Sequence, residues 1–100
     1  MDAITQALKA LESRFDINYQ VDDEFVEMTG YMRVGAASLI GTCRVSRYFL
    51  EPHTAEFIER TLAEKLRELF GVMVAGLFTD YRLEEFKTDL LAEVSLVGVK

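Results

Sequence analysis

A capped amphipathic helix in the second half of the chain is the feature that most constrains the fold. Thr54 is a good N-cap residue, and the segment from Ala55 to Phe70 carries apolar residues at three- and four-residue spacing. Gly71 follows where the glycine that ends a helix commonly stands. A helix with one apolar stripe has to bury it, so the rest of the chain must supply a covering surface. The stripe consists of Ile58, Leu62, Leu66 and Leu69.

Alternating residues before this helix predict strands that can supply that surface. From Phe25 to Val34, apolar residues such as Val26 and Met28 alternate with polar ones, which is typical of a half-buried strand. The segment from Leu39 to Leu50 predicts a second strand, with Gly41 as a candidate bulge.

An uncharged run from Leu69 to Phe78 is divided by Gly71. Its second part, Val72 to Phe78, predicts a strand buried on both faces. The whole run is about half the ~20 residues that a membrane-spanning helix needs, so we expect no membrane segment. A polar hairpin region is predicted from Tyr81 to Asp89, and a last strand from Ala92 to Val99.

The start of the chain predicts one more helix and one short strand. Asp2 is a good N-cap for a helix from Ala3 to about Arg14, and Ile17 to Val21 predicts a strand. The acidic residues Asp22 to Glu24 then predict a turn. The predicted order is α-β-β-β-α-β-β in a single domain, residues 1–100. The fold class is α+β, a mainly antiparallel sheet with both helices packed on it.

The charge distribution limits the function classes. A net charge of −6 argues against a general nucleic-acid binder and against docking on anionic lipid. The charge is uneven, since Met28 to Leu50 holds three arginines and no acid, whereas Glu51 to Lys100 holds ten acids and six bases. This asymmetry suits contact with a partner, or with a second copy, by opposite charge. A mixed solvated surface, or RNA stacking on an arginine- and tyrosine-bearing sheet face, are the alternatives.

The residues that carry chemistry in enzymes are sparse. His53 and Cys43 are the only histidine and cysteine, so zinc-ligand spacing is absent, although the two side chains could meet in the fold. The acids from Asp22 to Glu24 lack the spacing of a calcium loop. Glu84 and Glu85 are adjacent, so in a strand they point to opposite faces and cannot act as a pair. We therefore expect no enzyme, no cofactor, no metal site and no small-molecule substrate.

The second half resembles the bacteriophage tail-terminator and tail-completion proteins. The resemblance lies in a strand "TCRVSRYFL", a capped helix "TAEFIERTLAEKLRELF", and the segments "VMVAGLFTDYRLEEF" and "DLLAEVSLVGVK". It implies a non-catalytic subunit of a hexameric ring at a phage head–tail junction, assembled in the bacterial cytoplasm and carried in the virion. Its partners would be its own copies and neighbouring tail or connector proteins, with DNA passing through the lumen unbound. The candidate interface residues are Arg33, Arg44, Arg47, Tyr48, Glu84 and Glu85.

An acidic inhibitor or adaptor of the DNA-mimic type is the alternative function. The ten acids after Leu50 suggest that such a protein would bind a basic protein surface. The helix acids alternate with three bases, which weaken the negative potential that a DNA mimic would need. These bases are Arg60, Lys65 and Arg67. Salt-sensitive binding to a basic protein would support this alternative, and binding indifferent to salt would refute it.

Overall fold

The computed structural model describes residues 2–79, 86–89 and 92–99, with side chains described through residue 75. The predicted α+β class is confirmed. In chain order the elements are α1 (Ala3–Glu12), β1 (Ile17–Val21), β2 (Phe25–Val34), β3 (Ala37–Ser46), α2 (Arg47–Leu50), α3 (Ala55–Thr79), β4 (Phe86–Asp89) and β5 (Ala92–Val99).

The strands form one antiparallel sheet in the order β1-β2-β3-β5-β4. Strands β2 and β3 pair along their whole length, beginning with Phe25 opposite Ser46. Strand β1 covers only part of β2, beginning with Ile17 opposite Gly30, and it forms one edge of the sheet. Helices α1 and α3 pack against each other and against one face of this sheet.

The alternation read in the sequence marks the buried face correctly. Val26 and Met28 of β2 and Cys43 and Val45 of β3 are buried, while their neighbours along each strand are more exposed. The register between β3 and β5 shifts between Ile40 and Gly41, but the extra residue is Val97 of β5, so the irregularity lies beside Gly41 and not in β3 itself. The strand predicted from Ala92 to Val99 is β5.

Helix α1 is held by the cap that the sequence predicts. The Thr5 backbone N–H donates to Asp2 Oδ1 at 2.7 Å, and the apolar stripe of the helix is buried. The helix ends at Glu12, two residues earlier than predicted. Phe15 then stacks against Phe70 of α3, with ring centroids 6.1 Å apart.

The strand predicted from Leu39 to Leu50 is wrong in its last four residues. It ends at Ser46, and residues 47–50 form the helical turn α2. In a strand, Tyr48 and Leu50 would share one face. The helical turn separates them: Leu50 enters the core with 0% of its surface exposed, and Tyr48 is left 71% exposed. Burying a leucine side chain contributes about 1.5–3 kcal/mol, which favours the turn over a longer strand.

The strand predicted from Val72 to Phe78 is also wrong, because α3 continues through Gly71 to Thr79. Gly71 lies on the exposed side of α3, where it costs about 1 kcal/mol relative to alanine. Two residues later, Met73 is fully buried and extends the apolar stripe. Its burial, worth about 1.5–3 kcal/mol, outweighs the glycine. The strand nearest to the predicted position is β4, Phe86–Asp89, within the predicted polar hairpin region.

Two strand glycines let α3 approach the sheet closely. Gly30 and Gly41 lie opposite each other in the β2–β3 register. A Cβ at Gly30 would stand 2.8 Å from Phe70 Cε1, and one at Gly41 would stand 2.7 Å from both Leu69 Cδ1 and Met73 Sδ. We call this Gly30–Gly41 pair the glycine notch. Here α3 crosses the sheet, close to the point where it continues beyond its predicted end at Phe70.

Candidate functional site

The face of the sheet opposite α1 and α3 carries the polar residues of both hairpin strands. We call it the open face, and its side chains are half-buried apart from the exposed Arg33. Because side chains alternate along a strand, the register fixes which residues lie on it. They are Phe25, Glu27, Thr29, Tyr31 and Arg33 of β2, and Ser38, Ile40, Thr42, Arg44 and Ser46 of β3.

Arg44 is the best-positioned charged group of the open face. Its Cζ lies 4.0 Å from the centroid of the Phe25 ring, and its Nε lies 3.9 Å from Glu27 Oε2. Glu27 is its partner in the β2 register, and Glu93 is the residue opposite it in the β5 register. A cation over an aromatic face at an exposed site contributes about 0.5–1 kcal/mol, which helps to hold the guanidinium over the ring.

Neutral polar side chains of the open face contact one another across the strands. The hydroxyl oxygens of Thr29 and Thr42 lie 3.5 Å apart across the hairpin. Asn18 of β1 donates from Nδ2 to the Tyr31 hydroxyl at 3.0 Å. These cross-strand contacts lie between Arg33 and Arg44 along the hairpin.

Arg47 and Tyr48 lie at the end of the sheet where β1 turns into β2. Arg47 Nη1 donates to the Asp22 carbonyl oxygen at 3.0 Å, and Nε donates to Glu51 Oε1 at 2.9 Å. Its backbone N–H donates to the Glu24 carbonyl oxygen at 2.8 Å. Arg47 thus ties α2 to the acidic turn, while Tyr48 beside it is exposed.

The candidate interface residues therefore do not form one cluster. Arg44 lies close to the Phe25 end of the hairpin, and Arg33 lies near its other end, opposite Ser38. Arg33 lies eight positions along β2 from Phe25, which corresponds to roughly 27 Å. Glu84 and Glu85 lie outside the described residues. Sequence reasoning missed Phe25 as the partner of Arg44, because the diagonal contact depends on a register that the sequence does not display.

The acidic turn from Asp22 to Glu24 is confirmed, and its geometry is that of an Asx turn. Asp22 Oδ1 accepts the backbone N–H of Phe25 at 2.7 Å and that of Glu24 at 2.8 Å. These two hydrogen bonds lower the pKa of Asp22 below its ordinary value of 3.8, and the bond from Phe25 has the larger effect. Among the residues described, no group of three or more His, Cys, Asp or Glu side chains is arranged to hold a metal.

The two residues considered for nucleophilic chemistry have different surroundings. His53 stacks on Phe57, with ring centroids 4.0 Å apart, and also packs beside Phe49. Cys43 lies in the core, where burial raises the pKa of its thiol to about 12. A protonated buried thiol is a poor nucleophile.

A charged groove lies between the two long helices. Arg14, which follows α1, forms an ion pair with Glu59 of α3 at 3.2 Å. Glu56, Arg60 and Arg67 line the same groove. Charges of both signs line it, and the ion pair is exposed, so it contributes little to stability.

Comparison with known proteins leaves the family open. The chain matches no protein-family model, no curated protein and no solved structure. No helix within the described residues is long and apolar enough to cross a bilayer.

Proposed function

We propose that this chain is a non-enzymatic structural subunit of a phage-like tail or head–tail junction, assembling with copies of itself into a ring. The observation that carries the proposal is the arginine-bearing, acid-free segment of the sheet layer. The segment with three arginines and no acid, Met28 to Leu50, supplies most of the β2–β3 hairpin. The outer surface of α3 carries the exposed acids Glu56, Glu64 and Glu68, interspersed with the exposed Arg60 and Arg67.

A ring requires two different surfaces that fit each other, so that each copy uses one surface on each neighbour. The open face and the outer surface of α3 are two such different surfaces, and they lie on opposite sides of the molecule. Arg33 is exposed on the open face, and Arg44 is already oriented by Phe25 and Glu27. Contact between these layers would bring arginines of one copy to acids of the next, which favours one orientation over others.

The partners in this proposal are other copies in a hexameric ring, together with neighbouring tail or connector proteins of a virion assembled in the bacterial cytoplasm. DNA would pass through the ring without specific binding. The net charge of −6 per chain supports this part, because like charge keeps the phosphate backbone from adhering to the lumen.

Mass measurement in solution tests the assembly. Size-exclusion chromatography with light scattering, over a range of protein concentrations, should give a species of six copies of the 11.4 kDa chain. Thr42→Glu places an acid in the middle of the open face and should reduce the mass. Ala36→Glu adds the same charge at the exposed hairpin turn and is the matched control. A strict monomer at every concentration, or equal effects of the two variants, would contradict the proposal.

A further inference from the structure

The free edge of β1 is a second surface with defined chemistry. Two hydrogen bonds flank the β1–β2 ladder: Tyr31 N–H donates to the Asp16 carbonyl, and Asp22 N–H donates to the Phe25 carbonyl, each at 3.0 Å. In an antiparallel pair, hydrogen-bonded residues alternate with residues whose N–H and C=O point away from the partner strand. Residues 16, 18, 20 and 22 therefore face β2.

The remaining residues of β1, which are Ile17, Tyr19 and Val21, direct their backbone groups outward. Three N–H donors and three carbonyl acceptors follow from this alternation. Within the described part of the chain, no hydrogen bond reaches these outward groups. Strand edges in proteins are usually guarded by lysine, proline, a bulge or a covering segment. Strand β1 contains no lysine or proline, and its register with β2 is regular.

The side chains beside this edge also suit an added strand. Val21 is 40% exposed, and it is one of two large hydrophobic side chains that are exposed in the described chain. Tyr19 is half-buried on the same, helix-facing side of the sheet. An incoming strand would cover both with its own apolar side chains, while polar residues would lie beside Asn18 and Gln20.

Charge decides which strand can pair there. Asp16 precedes β1, and Asp22, Asp23 and Glu24 follow it. The nearby arginines are engaged: Arg14 pairs with Glu59, and Arg47 with Glu51. If two copies paired their β1 strands antiparallel about Tyr19, Asp16 of each would face Asp22 of the other. Like charges directly opposite destabilise a strand pair, so full-length self-pairing is disfavoured.

We infer that the β1 edge binds an extended segment of a basic partner protein, about five residues long, by adding it to the sheet as a sixth strand. The partner segment has alternating apolar residues and a lysine or arginine at each end. Backbone hydrogen bonds to Ile17, Tyr19 and Val21 hold it, and the flanking acids select its charge. This site uses the edge of the sheet. The proposed ring contact uses the open face of the sheet, so the two sites are independent.

Hydrogen exchange with a synthetic peptide tests the inference. The probe is the capped peptide Lys-Val-Thr-Val-Thr-Val-Lys, whose valines lie on the face opposite to that of its threonines and lysines. A second peptide that carries glutamates at both ends is the control. Binding should slow amide exchange at Ile17, Tyr19 and Val21 by roughly tenfold or more at saturation, because these N–H groups gain partners. Asn18 and Gln20, already bonded to β2, report only general stabilisation. The glutamate-ended peptide should have no effect, and ~0.5 M salt should weaken binding of the lysine-ended one.

Two kinds of variant separate backbone pairing from charge. Tyr19→Pro removes one outward N–H and leaves the β2 ladder intact, so it should abolish binding. The double variant Asp23→Asn, Glu24→Gln removes exposed charge and should weaken binding several-fold without altering the circular dichroism spectrum. The double variant decides the matter if Tyr19→Pro does not fold. Unchanged exchange at the outward amides, equal binding of both peptides, or protection of these amides by self-association of the chain alone would overturn the inference.

Discussion

The glycine notch and Gly71 offer one substitution, glycine to alanine, with opposite expected results at two positions. At Gly41 the new methyl would stand 2.7 Å from Leu69 Cδ1 and from Met73 Sδ, both in fully buried side chains. Overpacking of this kind costs about 1–3 kcal/mol. The reduced freedom of the unfolded chain returns about 0.4–1 kcal/mol. We therefore expect Gly41→Ala to lower the free energy of unfolding by about 1–2 kcal/mol.

At Gly71 the same methyl would meet no atom within 4 Å. The residue lies on the exposed side of α3, where alanine is favoured over glycine by about 0.8–1 kcal/mol. We expect Gly71→Ala to raise the free energy of unfolding by about 0.5–1 kcal/mol. The two variants should therefore differ by roughly 2 kcal/mol, which corresponds to about 8–16 °C in melting temperature for a domain of this size.

Urea unfolding followed by far-UV circular dichroism measures both values, with the wild-type protein alongside. A destabilised Gly71→Ala variant would refute the continuous helix, because a glycine that ends a helix in the left-handed conformation resists replacement by alanine. A neutral or stabilised Gly41→Ala variant would refute the close approach of α3 to the sheet. The slope of unfolding against urea should stay constant in both variants, since neither changes the surface exposed on unfolding.

Three further predictions concern α2, the acidic turn and the core cysteine. Leu50→Ala should cost about 2–5 kcal/mol because the side chain is fully buried, whereas Tyr48→Ala should cost less than about 0.5 kcal/mol; equal costs in urea unfolding would contradict the helical turn. Backbone hydrogen bonds lower the pKa values of Asp2 and Asp22 below 3.8, so their stabilisation is complete above about pH 4 and is lost as pH falls further. Asp22→Ala should thus reduce the acid sensitivity of unfolding, and an unchanged pH profile would exclude that role. Burial raises the pKa of Cys43 to about 12, so thiol reagents should react at mildly alkaline pH only when the protein opens, and stability should fall as pH rises above the ordinary value of 9.0; a rate independent of urea would count against the buried thiol.

The parts of the fold that could be predicted are those where one local rule decides the outcome. The caps at Asp2 and Thr54 and the alternation along β2 each reflect contacts within a few residues, and the structure shows them where expected. The Phe57 N–H donates to Thr54 Oγ1 at 3.2 Å, for example. The last strand, Ala92–Val99, follows from the same kind of local pattern.

The two wrong strand predictions lie where a local preference competes with a tertiary contact. Gly71 satisfies the rule for a helix end, yet the burial of Met73 against the glycine notch makes a longer helix favourable. Helix α2 depends on Arg47 finding the Asp22 carbonyl and Glu51, and on a core position for Leu50. Both decisions depend on tertiary contacts, which override local preference.

The candidate site was predictable only in part. The sequence marks Arg33 and Arg44 as candidate interface residues on the polar side of their strands, and both lie on the open face. The stacking of Arg44 on Phe25 and the outward backbone groups of β1 follow from strand register, which a single sequence does not specify.

The glycine notch also has a consequence for how the β2–β3 hairpin chooses its pairing. A slip of one residue would place Gly30 opposite Ile40 or Thr42, and it would move Gly41 away from its partner. The two missing side chains would then no longer coincide, and Leu69, Phe70 and Met73 would have no common recess to enter. Helix α3 therefore packs well only on a hairpin in the correct register. Its packing favours that register over a slipped one during folding.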